Sequence, residues 1–220
     1  VHLVTAKPRL LFLYTGGTLS MVPTDDPGHL APMEGPPDLR AHVPALSRVA
    51  DVDGRVVSNV DSSDLRPEDW ARLAESIANA HEDYDGFVVV HGTDTMTFTA
   101  CALSFMLSGN HKPVVLTGSQ RPLSEPRTDA RVNLVHSAIC ATMDVREVSL
   151  YFGAHLFRGN RATKTSIHAY DAFASPNHPP LVELGVDREL VTPSLQRSGP
   201  LTVDTRVSTD VAVLSAFPGM

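Results

Sequence analysis

Cysteine is scarce in this chain, long apolar runs are missing, and basic residues are in the minority. The two cysteines, Cys101 and Cys140, both fall in apolar helical patterns and lack the close spacing of a metal site. Reduced core thiols are therefore expected, rather than a disulfide or a zinc centre. The ten histidines also lack metal-ligand spacing. No apolar run approaches the roughly 20 residues that span a bilayer, so no membrane association is expected. The opening residues, Val1 to Pro8, hold one lysine and neither an extended apolar core nor a small-residue cleavage site, unlike a secretory signal; a cytoplasmic location is expected. Lysine and arginine number 18 against 25 acids, a net charge of −7, and the acids are spread along the chain. That distribution offers no electrostatic footprint for nucleic acid. Internal repeats and low-complexity segments are also missing.

What is present is a soluble-type composition, 42% hydrophobic and 20% charged over 220 residues, enough for one large domain with a substantial core. Apolar strand-like runs alternate with helix-like patterns, the signature of βαβ units and a mostly parallel sheet. The expected strands are Arg9 to Tyr14, Asp53 to Val60, Phe87 to Val90, Pro113 to Thr117 and Glu147 to Phe152. Between them come a Pro-rich loop from Val22 to Pro37, a helix from Pro36 with Leu39, Val43 and Leu46 on its buried face, and a helix opened by Pro67-Glu68-Asp69. Further helices are expected from Thr95 to Leu107 and from Thr128 to Met143. The fold class is α/β, an open three-layer, mostly parallel sheet flanked by helices. After Phe157 periodicity weakens. Residues 1–174 are expected to form the α/β domain, 175–206 a linker, and 207–220, with a strand at Val211 to Ala216, the first strand of a further domain.

Two threonine-bearing segments follow apolar strands: Thr15-Gly16-Gly17-Thr18, and His91-Gly92-Thr93-Asp94-Thr95. In open α/β sheets, ligands bind outside the carboxyl ends of the strands, so both loops could face one pocket. Gly16 and Gly17 permit backbone conformations closed to other residues and could present Thr18 as a nucleophile; a turn that caps a helix or holds phosphate is the alternative. Thr93 and Asp94 suit helix caps, yet three hydroxyl or carboxyl residues in succession exceed what one cap needs. Lys164, beyond the fifth strand, could take a proton from Thr93 when paired with Asp94, or simply be solvated. Ser62, Ser63 and Asp64 would suit a zwitterionic ligand or an N-cap. Arg158 and Arg161 could hold a carboxylate or tie down their loop. Gly118-Ser119-Gln120 could wall the pocket, and His91 reads as a packing residue.

Taken together, Tyr14-Thr15-Gly16-Gly17-Thr18, Asp61-Ser62-Ser63-Asp64, Asp85-Gly86-Phe87 leading to His91-Gly92-Thr93-Asp94-Thr95-Met96, Leu103 to Leu107, Thr117-Gly118-Ser119-Gln120 and Phe157 to Lys164 resemble the L-asparaginases, specifically the cytoplasmic bacterial type I group. The segments are in family order and span nearly the whole chain. The resemblance implies a Rossmann-like N-terminal domain and hydrolysis of L-asparagine, with L-glutamine as a second candidate substrate, through an acyl-enzyme and without metal or organic cofactor. It assigns Thr18 as nucleophile and Thr93, Asp94 and Lys164 as the set that activates it or the water. Ser62 and Ser63 would bind the substrate's α-carboxylate and Asp94 its α-ammonium, with Gly17 and Ser119 also lining the substrate. Thr163 matches an allosteric position.

Two departures stand out. Relatives carry an assisting tyrosine on the loop after the first strand, whereas this chain has none between Leu19 and Leu39, and His29 takes the similar position. Full-length relatives are also homo-oligomers that continue into a second domain. A binding module that keeps the amino-acid pocket without turnover is one alternative. The amidase subunit of a tRNA-dependent amidotransferase is another, ranked last because such subunits carry an extra N-terminal domain.

Overall fold

In the computed structural model, residues 6–23, 30–32, 39–195, 199–215 and 218–219 are described. The chain begins with β1 (Arg9–Gly16), β2 (Met21–Pro23), β3 (Leu30–Pro32), α1 (Leu39–His42), α2 (Leu46–Val49) and β4 (Asp51–Val60). It continues through α3 (Pro67–Asn79), β5 (Gly86–Val90), α4 (Met96–Met106), β6 (Leu107–Ser108), β7 (Val114–Thr117), α5 (Ala130–Ala141) and β8 (Val148–Phe152). Six short strands follow: β9 (His155–Arg158), β10 (Thr163–Lys164), β11 (Phe173–Ala174), β12 (Val182–Leu184), β13 (Arg188–Leu190) and β14 (Thr202–Val203).

The main sheet has eight strands in the order β13-β12-β9-β8-β7-β5-β1-β4. Its β4, β1, β5, β7 and β8 are parallel, and β9, β12 and β13 add an antiparallel edge. A strand covered on both faces needs apolar residues at every position, and β1 is buried from Leu10 to Gly16. The two-residue side-chain period then sorts the core. Leu10, Phe12 and Tyr14 pack with Leu46 of α2 and Leu134 and Ala138 of α5. Leu11 and Leu13 pack with Leu73 and Ile77 of α3 and Ala100 and Leu103 of α4. The result is the expected three-layer α/β architecture. Each such side chain, taken fully out of water, contributes about 1.5–3 kcal/mol.

Local sequence explains most element ends. Helix α3 starts at Pro67, whose missing N–H costs nothing in a first turn, and the Asp69 carboxylate accepts the Arg66 N–H at 2.8 Å. The helix expected from Pro36 is two short ones, because Pro44 cannot donate a helical hydrogen bond; Leu39, Val43 and Leu46 are nonetheless all buried. Within the Pro-rich stretch β2 and β3 pair as a small antiparallel ribbon. His29 lies outside the described residues.

The linker expected over 175–206 needs correction. Val182 and Leu184 are buried while Glu183 is exposed, so β12 joins β9 with Val182 opposite Leu156 and brings β13 with it. Pro176, Pro179 and Pro180 precede this three-residue strand and mask its alternation. Farther on, β14 pairs with β6. Residues 211–215 have no regular secondary structure where a strand was expected, and Val211, Val213 and Leu214 are exposed; Ala216 lies outside the described residues.

The strand order positions the site. From β1 the chain first adds β4 on one side, then crosses to add β5 on the other. This reversal leaves a crevice at the carboxyl ends of β1 and β5, the place where open α/β sheets receive ligands.

Candidate active site

Four strand ends meet at this crevice. Gly16 and Gly17 close β1 with φ of 106° and 88°, a region L-residues rarely occupy. They are needed for space as well. A Cβ on Gly17 would lie 2.5 Å from the Gly92 backbone, and one on Gly92 would lie 2.6 Å from Ser62 Oγ. The ends of β1, β5 and β4 are thus stacked closely, bringing Thr18, Thr93 and Ser62 to one place. Thr18 opens a single 3-10 turn, Thr18–Ser20, is partly buried, and has no hydrogen-bond partner for its hydroxyl among the described residues.

Thr93 differs: its hydroxyl lies between two groups. Lys164 Nζ donates to Thr93 Oγ1 at 2.8 Å and to Asp94 Oδ1 at 2.7 Å, while Thr93 Oγ1 donates to Gln120 Oε1 at 3.2 Å. Lys164 arrives on β10, one strand of a separate two-stranded ribbon, held by β11 with Lys164 opposite Phe173. Phe173 is buried and packs on Phe152 with ring centroids 4.8 Å apart. The lysine is mostly covered and Asp94 mostly exposed, so the pair opens to solvent on the carboxylate side. Thr163, beside Lys164, is exposed.

Other groups brace this arrangement. The Asp129 carboxylate accepts the N–H groups of Gln120 (3.0 Å) and Arg121 (3.2 Å), and Asn133 Nδ2 donates to the Gly118 carbonyl at 3.0 Å. The turn after β7 is thereby clamped to the start of α5, which aims Gln120 at Thr93; Gln120 Nε2 also donates to the Ala169 carbonyl at 3.0 Å. Ser119 is buried, with its hydroxyl turned to the Arg121 carbonyl at 2.5 Å. At the end of β4, Thr95 Oγ1 donates to the Ser62 carbonyl at 2.6 Å. Asp61 Oδ1 accepts the Ser63 N–H at 2.8 Å and the Ser63 hydroxyl at 2.6 Å. These two bonds, the side-chain one first, hold the Asp61 carboxyl below its ordinary range. Ser62 is buried, and its hydroxyl has no partner among the described residues.

A cavity of about 480 Å³ opens beside Thr18, lined also by Gln120, Arg121, Arg127, His168 and Tyr170. Its size suits a small polar molecule. Arg121 is paired with Glu125, whereas Arg127 has no ion-pair partner among the described residues. Arg158 lies elsewhere: with the buried Glu147 it forms an ion pair at 2.6 Å that anchors the β9 edge. Among the described residues no cluster of histidine, cysteine or acids could hold a metal ion, both cysteines are free, and no helix is long and apolar enough to cross a membrane.

The structure therefore brings Thr18, Gly17, Ser62, Thr93, Asp94 and Lys164 to one crevice, while the hydroxyls of Ser63 and Ser119 turn to Asp61 and to the Arg121 carbonyl. Sequence reasoning missed the roles of Asp129 and Asn133 as clamps and of Gln120 as acceptor for the Thr93 hydroxyl. The four-residue spacing of Asp129, just before α5, and Asn133 within it was the available signal.

Comparison with known proteins bears on the family and the fold. A family model described as Asparaginase, N-terminal, matches residues 9–195. The chain is 42% identical to L-asparaginase 1 of Escherichia coli over 97% of its own length and 65% of that protein. It is 35% identical to a glutamyl-tRNA(Gln) amidotransferase subunit of Pyrococcus abyssi, over 97% of this chain and 51% of that one. Its fold superposes on the crystal structure of L-asparaginase I from Vibrio cholerae with a TM-score of 0.84 and 36% identity, covering 98% of this chain and 66% of the other. The chain thus spans between about half and two thirds of the length of these relatives.

Proposed function

The chain belongs to the asparaginase family, and from that premise we propose that it is an amidohydrolase acting on L-asparagine through a threonine nucleophile. The observation that carries this reading is Lys164 Nζ, within hydrogen-bond distance of both Thr93 and Asp94 beside the loop that presents Thr18. In the proposed reaction Thr18 Oγ1 adds to the side-chain amide carbon and loses its proton. The amide nitrogen gains a proton and leaves as ammonia, and an ester on Thr18 remains. Water then adds to the ester, giving aspartate and restoring the Thr18 hydroxyl. Lys164, held by Asp94, is the proposed base for Thr93, which in turn takes the proton of the attacking hydroxyl or water. General acid–base assistance of this kind contributes about 10²–10⁴-fold.

Charge develops on the amide oxygen as the nucleophile adds. The N–H of Thr93, which has no acceptor among the described residues, is the proposed donor; one such donor is worth about 3–4 kcal/mol in well-studied sites. Ser62 and Ser63 are read as the α-carboxylate site, and Asp94 as the partner of the α-ammonium. A cytoplasmic location fits the two free thiols. Residues 207–220 are read as the opening of a second domain, since Val207, Val211, Val213 and Leu214 expose apolar surface. Assembly as a homo-oligomer would go with that domain.

Ammonia release from asparagine and glutamine, with the mass in solution measured alongside, tests the reading. Wild type is expected to release ammonia, and Thr18→Ala and Thr93→Ala to release none above background. Wild type without release from either amide, or Thr18→Ala with full release, overturns it.

A further inference from the structure

His91, directly after β5, is 1% exposed, and both its ring nitrogens are engaged. Nδ1 lies 2.7 Å from the Gly92 carbonyl oxygen; a carbonyl only accepts, so Nδ1 carries the hydrogen. Burial pushes the ring down to about 4, against the smaller opposing effect of the Gly92 bond, so the imidazole is neutral near pH 7 and Nε2 must accept. Its partner at 2.8 Å is Thr99 Oγ1 of α4, which therefore donates. Thr99 Oγ1 in turn lies 3.0 Å from Nε1 of Trp70 on α3, and an indole N–H only donates. All the hydrogens thus point one way, from Trp70 to Thr99 to His91 to the Gly92 carbonyl. Bonds in such an aligned chain polarise and strengthen one another.

The carbonyl at the end of this chain shares a planar peptide unit with the N–H of Thr93, and in a trans peptide the two point in opposite directions. Pulling the Gly92 oxygen inward toward His91 turns the Thr93 N–H outward to the crevice. Gly17 and Ser62 both crowd Gly92. We propose that Trp70, Thr99 and His91 form a one-way hydrogen-bond relay that aims the Thr93 N–H at the reacting carbonyl, making all three positioning residues for the reaction. The inference rests on the hydrolysis proposed for this site. It extends the machinery to a side chain on α3, two helices from the crevice.

The test is Thr99→Val, which keeps the volume and removes the hydroxyl. Its kcat should fall about 3- to 10-fold, the size of one buried hydrogen bond's net contribution, with KM unchanged. The amide resonance of Thr93 should move, and so should the emission of Trp70, the sole tryptophan. Thr99→Ser should restore kcat and both signals, and Trp70→Phe, which keeps an aromatic ring without the N–H, should reproduce the kcat loss more weakly. A Thr99→Val protein with wild-type kcat and an unmoved Thr93 resonance overturns the relay. So do His91 nitrogen resonances that place the hydrogen on Nε2. If wild type releases no ammonia, the proposed hydrolysis falls instead, and the two sets of resonances still decide the relay.

Discussion

Thr18 follows two glycines at positive φ, and no described residue holds its hydroxyl. One strand away, the Thr93 hydroxyl lies between Lys164 Nζ and Gln120 Oε1 on a peptide whose carbonyl is tied to a buried histidine. The contrast separates two kinds of work. An oxygen that must form and break a bond to carbon needs its lone pairs free and its approach adjustable. An oxygen that passes protons needs its partners in place before the substrate arrives, because reorganising them during the reaction would add to the barrier. The glycines give the first loop close approach, and the hydrogen bonds give the second loop fixed geometry.

Replacing Lys164 by Met breaks the contrast from the side of the fixed loop and should have the largest effect. We expect kcat to fall by about 10²–10⁴-fold, the usual range for losing general acid–base assistance. Any ester trapped by rapid acid quench should map to Thr18. An ester on Thr93 would reverse the assignment of the two threonines.

Acid should act on the second loop through its buried histidine. His91 is neutral in the fold, with its pKa pushed down to about 4 by burial, against about 6.5 when unfolded. Between these values the unfolded chain binds a proton that the folded chain refuses. The His91 contribution is therefore intact above about pH 6.5, lost as pH falls toward 4, and constant below that, about 3 kcal/mol in all. His81 and His136 are also pushed down mainly by burial and add slope in the same direction. The difference between wild type and His91→Gln in urea melts from pH 7 to 4 isolates the His91 part. Parallel stability curves for the two proteins would contradict the buried neutral ring.

Gly17→Ala probes the adaptable loop. Its φ of 88° and a Cβ position 2.5 Å from the Gly92 backbone should cost about 1–3 kcal/mol in urea denaturation. The push should also displace the Thr93 peptide. A variant as stable as wild type would show that the two loops do not press on each other.

Both threonine loops were legible in the sequence because glycine and hydroxyl residues directly after apolar runs have few other uses. What holds them was less legible, because those partners are long-range: Gln120 is 27 residues from Thr93 and Trp70 is 29 from Thr99, and no local pattern joins such pairs. The parallel strands β1, β5, β7 and β8 were readable from their nearly continuous apolar runs, whereas β4 is largely polar and exposed. The β12 strand was not, because three residues just after a run of prolines carry too little alternation to register. Lys164 is the middle case. Its motif marked it, yet only the Phe173 anchor explains how a residue on a two-stranded ribbon reaches Thr93.

The loop after β4 extends the contrast to a third strand end, where the smallest effects are expected. Ser63 has one hydroxyl hydrogen, and it points to Asp61 Oδ1 at 2.6 Å. While that bond lasts, Ser63 can offer a substrate carboxylate only lone pairs, which repel it. Ser62 has no such commitment among the described residues, and its Oγ faces Gly92. If both serines face the α-carboxylate, Ser62→Ala should raise KM for asparagine about 10-fold, the worth of one hydrogen bond to a charged group. Ser63→Ala should raise it by no more than about 2-fold, and Asp61→Ala should cost about 1 kcal/mol of stability as a lost cap. A 10-fold rise in KM for Ser63→Ala would show that Asp61 yields its bond when substrate binds. The third loop would then belong with the adaptable Thr18 loop rather than with the fixed one at Thr93.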